Sequence, residues 1–130
     1  MKGSDQPSAT VLLIEDNPLN ADMLARRLRR AGYHVEIAET GTKGLEKCEY
    51  LNPDLILLDI RLPDIHGIEV ARRIRQLEAN RKTPLIAVTA DAIPDVIDAA
   101  LEAGCNGVLT KPLEFELLKR EISRWISNRN

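Results

Sequence analysis

The chain has 130 residues, 44% hydrophobic and 29% charged, which is enough for one domain that buries a real core. Its 18 Lys and Arg nearly balance 20 Asp and Glu, and the net charge of −2 gives no basis for wrapping nucleic acid. Aromatic residues at 3% argue equally against stacking on the bases of a single strand.

Residues 1–9 are small and polar with a proline, and predict a disordered lead-in to a domain over 10–128. The start has no signal-peptide apolar core, and no apolar run reaches membrane-spanning length. Cys48 and Cys105 lack metal-type pairing and read as buried small hydrophobes in a reducing compartment. A cytoplasmic protein without membrane contact is the expectation.

The first strand is predicted over 11–15, where Val11, Leu12, Leu13 and Ile14 run into Glu15 and Asp16. A helix follows over about 18–31, with Asn17 as its cap, Pro18 at its first position and Gly32 past its end. Ala21, Leu24, Ala25 and Leu28 give it one buried face. Leu19 and Met23 lie one turn apart beside that face, and either widen the stripe or present an apolar contact to a partner. Arg26, Arg27, Arg29 and Arg30 form a solvated face near the helix C-terminus.

Strands at about 33–37, 54–58, 84–88 and 106–110 then alternate with helices at about 42–51, 65–79, 93–103 and 114–128. Pro94 lies near the start of the fourth helix and Gly104 closes it. The last helix buries Phe115, Leu118, Ile122 and Trp125. Leu55–Leu58 and Leu85–Val88 are apolar throughout, as strands covered on both faces must be. Regular βα alternation of this kind predicts a doubly wound parallel α/β fold with right-handed crossovers.

In such sheets ligands bind outside the carboxyl ends of the strands. Those ends read Glu15 and Asp16, then Asp59, then Thr89 and Ala90, then Lys111 and Pro112. The second strand ends in Glu36, Ile37 and Ala38, which look structural. Three crowded carboxylates repel one another unless a cation neutralises them or some protonate. Glu15 and Asp16 are hard oxygen ligands suited to Mg2+ or Mn2+. Asp59 can share that metal and act as a nucleophile, forming an acyl phosphate. Lys111 would offset charge on the transferring oxygens, and Thr89 can hydrogen-bond a phosphoryl group. The loop Glu15-Asp16-Asn17-Pro18 is acidic and lacks an amide at Pro18, so it repels rather than cradles a nucleotide phosphate. His34 and His66 lack ligand spacing and read as surface residues.

Four segments in order resemble a response-regulator receiver domain, the phosphoacceptor module of two-component signalling. They are Leu12-Leu13-Ile14-Glu15-Asp16-Asn17, the run from Asp54 to Gly67, the run from Pro84 to Ala90, and Leu109-Thr110-Lys111-Pro112. The resemblance spans about residues 10–128. It implies a single (βα)5, flavodoxin-like domain, with a five-stranded parallel sheet of order 2-1-3-4-5 and helices on both faces. Asp59 then matches the phosphorylated aspartate, and Glu15 and Asp16 the acidic pair. The backbone carbonyl of Arg61 completes the metal's protein ligands. Thr89 matches the switch hydroxyl and Lys111 the motif lysine. A cis Lys111–Pro112 bond is a further expectation, rare enough to serve as a structural test.

One position departs from the family pattern. Receivers usually carry Tyr or Phe three residues before the motif lysine, where this chain has Val108. Valine cannot make the same inward–outward rotamer change, so the expected readout is muted or carried by backbone shifts of the fourth helix. Arg61 and Asp91 flank the site where, in the family, side chains tune the lifetime of the phosphate.

The implied partners are a histidine kinase or histidine phosphotransfer protein; if Leu19 and Met23 do not widen the core stripe, they form its docking contact together with Pro112 and Leu113. The chain ends soon after the fifth helix, as a single-domain regulator or relay intermediate, or a receiver excised from a longer kinase or regulator, would; a downstream protein target is then expected on the face of the fourth helix, fifth strand and fifth helix. Nucleic acid is not an expected direct partner. A phosphatase using an aspartyl-phosphate, of the haloacid-dehalogenase type, is disfavoured because Arg61 stands where such enzymes place a second acid. An interaction module independent of phosphate is disfavoured by the intact acids and lysine.

Overall fold

The computed structural model describes residues 9–91 and 93–127. Five strands, β1 (Thr10–Ile14), β2 (His34–Ala38), β3 (Leu55–Asp59), β4 (Leu85–Thr89) and β5 (Gly107–Thr110), form one parallel sheet in the order β2-β1-β3-β4-β5. Five helices follow them in turn: α1 (Pro18–Arg30), α2 (Gly41–Leu51), α3 (Gly67–Gln76), α4 (Pro94–Glu102) and α5 (Phe115–Ser127). The expected fold class and strand order are both present. The lead-in expected over 1–9 and the last residue of the domain expected over 10–128 lie, Ala9 apart, outside the described residues.

The two-sided burial of the strands has a direct cause in side-chain alternation. Leu12, Ile14, Ile56, Leu58, Leu85 and Ala87 point to one face, where they meet Val70, Ala71, Ile74, Cys48 and Ala100 from α2, α3 and α4. Val11, Leu13, Leu55, Leu57 and Ile86 point to the other, against Ala21, Ala25 and Leu28 of α1 and Leu118 and Ile122 of α5. Leu24, Phe115 and Trp125 border this second cluster and are only partly buried. Cys48 and Cys105 are buried free thiols, and burial pushes them up to about 12 and about 11. Both therefore stay protonated and unreactive at neutral pH.

Asn17 caps α1, its side chain accepting from the Asn20 N–H at 3.0 Å, with Pro18 opening the helix. Gly32 and Gly104 take φ of +104° and +112° past the ends of α1 and α4, the left-handed geometry that favours glycine. β1 lies one residue earlier and β2, β3 and β4 one residue later than the sequence reading, while β5 starts one residue later and ends at Thr110 as expected.

The third helix differs more. Expected over 65–79, it runs only over Gly67–Gln76 and is followed by a 3-10 turn at Glu78–Asn80. His66 caps it from the surface, Nδ1 accepting from the Ile68 N–H at 3.2 Å. At the far end Leu77 is extended, and Asn80 is fully buried. A buried amide must find partners. Asn80 donates to the Cys48 carbonyl at 3.1 Å and accepts from the Thr83 hydroxyl at 3.1 Å, which requires the chain to leave the helix.

The arginine cluster of α1 is less solvated than its composition implies. Arg26 pairs with Asp22 on the surface, but Arg27 lies 4.2 Å from the Phe115 ring centroid of α5. Arg29 donates to the Val35 carbonyl on the edge strand β2 at 2.8 Å.

Candidate functional site

The carboxyl ends of β1, β3, β4 and β5 lie side by side because the strands are parallel and in register. Val88 pairs with Asp59, and Thr110 with Thr89. Glu15 follows β1 directly, its N–H bonded to the Ala38 carbonyl at 3.0 Å. Asp59 is the last residue of β3 and Thr89 the last of β4. Lys111 follows β5, its N–H bonded to the Thr89 carbonyl at 2.8 Å, and the Lys111–Pro112 bond is cis as expected.

Glu15, Asp16 and Asp59 each bring a carboxylate oxygen within 4.8 Å of the others. Glu15 and Asp59 are buried at 7% and 5% exposure, while Asp16 is exposed. Asp59 is held at both oxygens. Oδ1 accepts from the Arg61 N–H at 2.9 Å, and Oδ2 accepts from Lys111 Nζ at 3.0 Å. The ammonium also lies 3.5 Å from Glu15 Oε1.

Electrostatics follow from that packing. Burial pushes the Glu15 carboxyl up, and the nearby Asp59 charge adds to it. The Asn17 N–H, 3.0 Å from Oε2, and the Lys111 ammonium pull it back only in part. Burial alone would lower Lys111, but its hydrogen bond to Asp59 and the charges of Asp59 and Glu15 outweigh this and raise it. Three acids against one ammonium leave two formal negative charges in a small cleft. That surplus, on hard oxygen donors with one edge open at Asp16, fits a small divalent cation.

Thr89 is buried at 3% exposure, and its hydroxyl accepts from the Asp91 N–H at 3.0 Å. Asp91 in turn meets the Arg61 guanidinium at 2.6 Å, an exposed bridge from the β3–α3 loop to the β4–α4 loop. Val108 is partly buried against the α2–α4 side of the core. Leu19 and Met23 are 66% and 56% exposed, so they do not widen the α1 core stripe. Pro112 is exposed, and Leu113 packs partly against the α1–α5 cluster.

Two contributors escape a reading of the sequence. Asp64 lies in the β3–α3 loop, 22 to 23 residues from its hydrogen-bond partners Thr42 and Gly41 on α2. Its neighbour Pro63 signals a turn, but nothing local signals that distant partner. Gly67 opens α3 directly over Asp59. A Cβ there would sit 2.7 Å from the Asp59 carbonyl oxygen and 2.5 Å from Ile60 Cα. Only its place after Asp-Ile-His in the motif hints at the crowding.

The family model for the response regulator receiver domain matches residues 11–123. The signal transduction histidine-protein kinase BarA of Escherichia coli is 37% identical over 116 residues, covering 89% of this chain and 13% of that protein. The sensor histidine kinase AruS of Pseudomonas aeruginosa is 40% identical over 129 residues, covering 94% of this chain and again 13% of the relative. The chain thus spans a small fraction of these kinases. Among solved structures, the receiver domain of sensor histidine kinase PA1611 from Pseudomonas aeruginosa, with a magnesium ion coordinated in its active-site cleft, aligns at a TM-score of 0.88. It is 37% identical, and the alignment covers 94% of this chain and all of that one. A putative response regulator from Chloroflexus aurantiacus aligns at 0.89 with 31% identity over 94% of this chain. Sequence, fold and the acidic cleft agree: the chain belongs to the response regulator receiver domain family, the phosphoacceptor module of two-component signalling.

Proposed function

We propose that Asp59 is the phosphoacceptor, and that Glu15, Asp16, Asp59 and the backbone carbonyl of Arg61 hold Mg2+ or Mn2+. The observation that carries this reading is the Asp59 carboxylate at the end of β3, held between the Arg61 N–H and the Lys111 ammonium beside two further acids. When bound, the divalent ion supplies neutralisation of the carboxylates and of the phosphoryl oxygens.

An Asp59 oxygen attacks the phosphorus of a partner's phosphohistidine. The P–N bond breaks, and its electron pair returns to the imidazole nitrogen. No base is required, because an ionised carboxylate has no proton to lose. Lys111 stabilises the charge that moves onto the phosphoryl oxygens. The Thr89 hydroxyl can keep accepting from Asp91 N–H while donating its own proton to a phosphoryl oxygen, since a hydroxyl does both. Water later attacks the phosphorus and regenerates the Asp59 carboxylate with release of inorganic phosphate. The domain promotes only this gain and loss on itself, and turns over no other substrate.

A histidine kinase or histidine phosphotransfer protein is the donor, docking on exposed Leu19 and Met23 of α1 with Pro112 and Leu113 nearby. Output passes to a protein target through the face of α4, β5 and α5. Val108 offers no aromatic to couple to Thr89, so the readout is muted or carried by backbone shifts of α4, which follows the loop where Asp91 meets both Thr89 and Arg61. The balanced charge favours protein over nucleic acid as the direct partner. No described helix is long and apolar enough to cross a membrane, and the free buried thiols suit a reducing, cytoplasmic setting.

Incubation with acetyl phosphate and Mg2+ tests the reading. Wild type should take up one acid-stable, base-labile acyl phosphate, and Asp59→Asn should take up none. Uptake that survives Asp59→Asn would overturn the assignment.

A further inference from the structure

The β3–α3 loop leaves the sheet at Asp59 and returns at Gly67. At its base the Gly67 N–H bonds to the Ile60 carbonyl at 2.9 Å. Leu62 and Ile65 press it onto the core from one side. Its polar tie to α2 is one side chain. Asp64 Oδ1 accepts from the Gly41 N–H at 2.8 Å, while Oδ2 accepts from the Thr42 N–H at 2.9 Å and the Thr42 hydroxyl at 2.7 Å. These are the donors at the start of a helix, which its own turns leave unsatisfied and which favour an anion. Gly41 permits the approach, since its missing Cβ would stand 3.3 Å from Asp64 Oδ1 and 2.8 Å from Val70 Cγ2.

Between the tie at Asp64 and the strand end at Asp59 lies Arg61. Its N–H orients the Asp59 carboxylate. An exposed loop tip without such a tie samples several conformations, and each blurs the placement of that amide. We propose that Asp64 is a positioning residue: by binding the N-terminus of α2, it holds the Arg61 backbone against the Asp59 carboxylate and so shapes the cation site.

This rests on the reading of the acids as a metal site, but the test separates the two. Mn2+ affinity is measured by electron paramagnetic resonance, and exchange of the Arg61 amide by NMR, on the full chain carrying Asp64→Ala, Asp64→Asn or no change. Asp64→Ala should weaken Mn2+ by less than the roughly tenfold that losing a group bonded directly to a metal ligand costs, because Asp64 acts through the loop backbone. It should also expose the Arg61 amide to faster exchange. Asp64→Asn, which keeps one acceptor oxygen of two, should fall between. Should Asp64→Ala fail to fold, Thr42→Ala removes one of the three donors and should shift both readouts in the same direction by less. A folded Asp64→Ala, or Thr42→Ala in its place, with unchanged Arg61 exchange would overturn the proposal. Wild type that binds no Mn2+ would sink the metal reading instead, and Arg61 exchange would still decide the tie.

Discussion

Lys111 Nζ stands 3.0 Å from Asp59 Oδ2, although 52 residues of chain separate them. The contact exists because β5 and β3 flank β4 and end at the same rim. Lys111 is the cation that the described structure places among the three acids, so its loss is not a neutral truncation. Lys111→Ala should leave the fold in place and slow phosphoryl uptake from acetyl phosphate by about 10²–10³-fold, the scale for losing one charged group aimed at a transition state. Mg2+ should bind more tightly in the same variant, because a competing positive charge has gone. Single-turnover rates across a Mg2+ titration check both halves. An unchanged rate at saturating Mg2+ would remove Lys111 from the mechanism.

Gly67 covers the Asp59 backbone so closely that no side chain fits. Gly67→Ala would bring a Cβ within 2.7 Å of both the Asp59 and Ile60 carbonyl oxygens, which are backbone atoms with little room to give. The expected loss is about 3 kcal/mol or more in urea unfolding. Gly107→Ala is the control, since the added Cβ meets only Glu121 Oε1 at 4.0 Å. Equal stability of the two variants would refute the crowding.

Arg75 works at the other end of the sheet. Its guanidinium donates to the carbonyls of Gly104, Asn80, Arg81 and Thr83 and to Asn106 Oδ1, joining the end of α3 to the segments that enter β4 and β5. Arg75→Ala leaves several partly buried carbonyls without a donor and should cost about 3 kcal/mol. Below the midpoint, phosphoryl uptake should match wild type, because no contact of Arg75 reaches the acids. Denaturant melts paired with uptake assays separate the two effects.

Asp64 has an acid-side signature of its own. The Thr42 hydroxyl and N–H, with the Gly41 N–H, hold its carboxyl well below the ordinary value of 3.8. A group depressed in the folded state stabilises fully above its unfolded value and loses that contribution as pH falls through the folded one. Its share should therefore persist at pH 4 and disappear only in stronger acid, and it should be small because the carboxylate faces solvent. A carbon-13 carboxyl titration should place the Asp64 midpoint below 3.8, and Thr42→Ala should raise it. A midpoint at the ordinary value in wild type would contradict the hydrogen bonding.

Periodicity in the sequence alone determined the βα alternation, the two-sided burial of the strands and the capping of α1, because each depends on residues close in the chain. The four strand-end motifs, compared with the family pattern, further implied the sheet order, which the structure has, and the proposed site residues Glu15, Asp16, Asp59, Thr89 and Lys111. Tertiary structure decided what depends on distance across the fold. It ended α3 at Gln76 because the buried Asn80 amide needs the Cys48 carbonyl, which lies 32 residues away. It put Leu19 and Met23 in solvent, a choice that two apolar residues beside a stripe leave open. It also turned Arg27 onto Phe115 and joined Asp64 to Thr42. A side chain's type limits the bonds it can make, but only the packed chain brings the partner within reach.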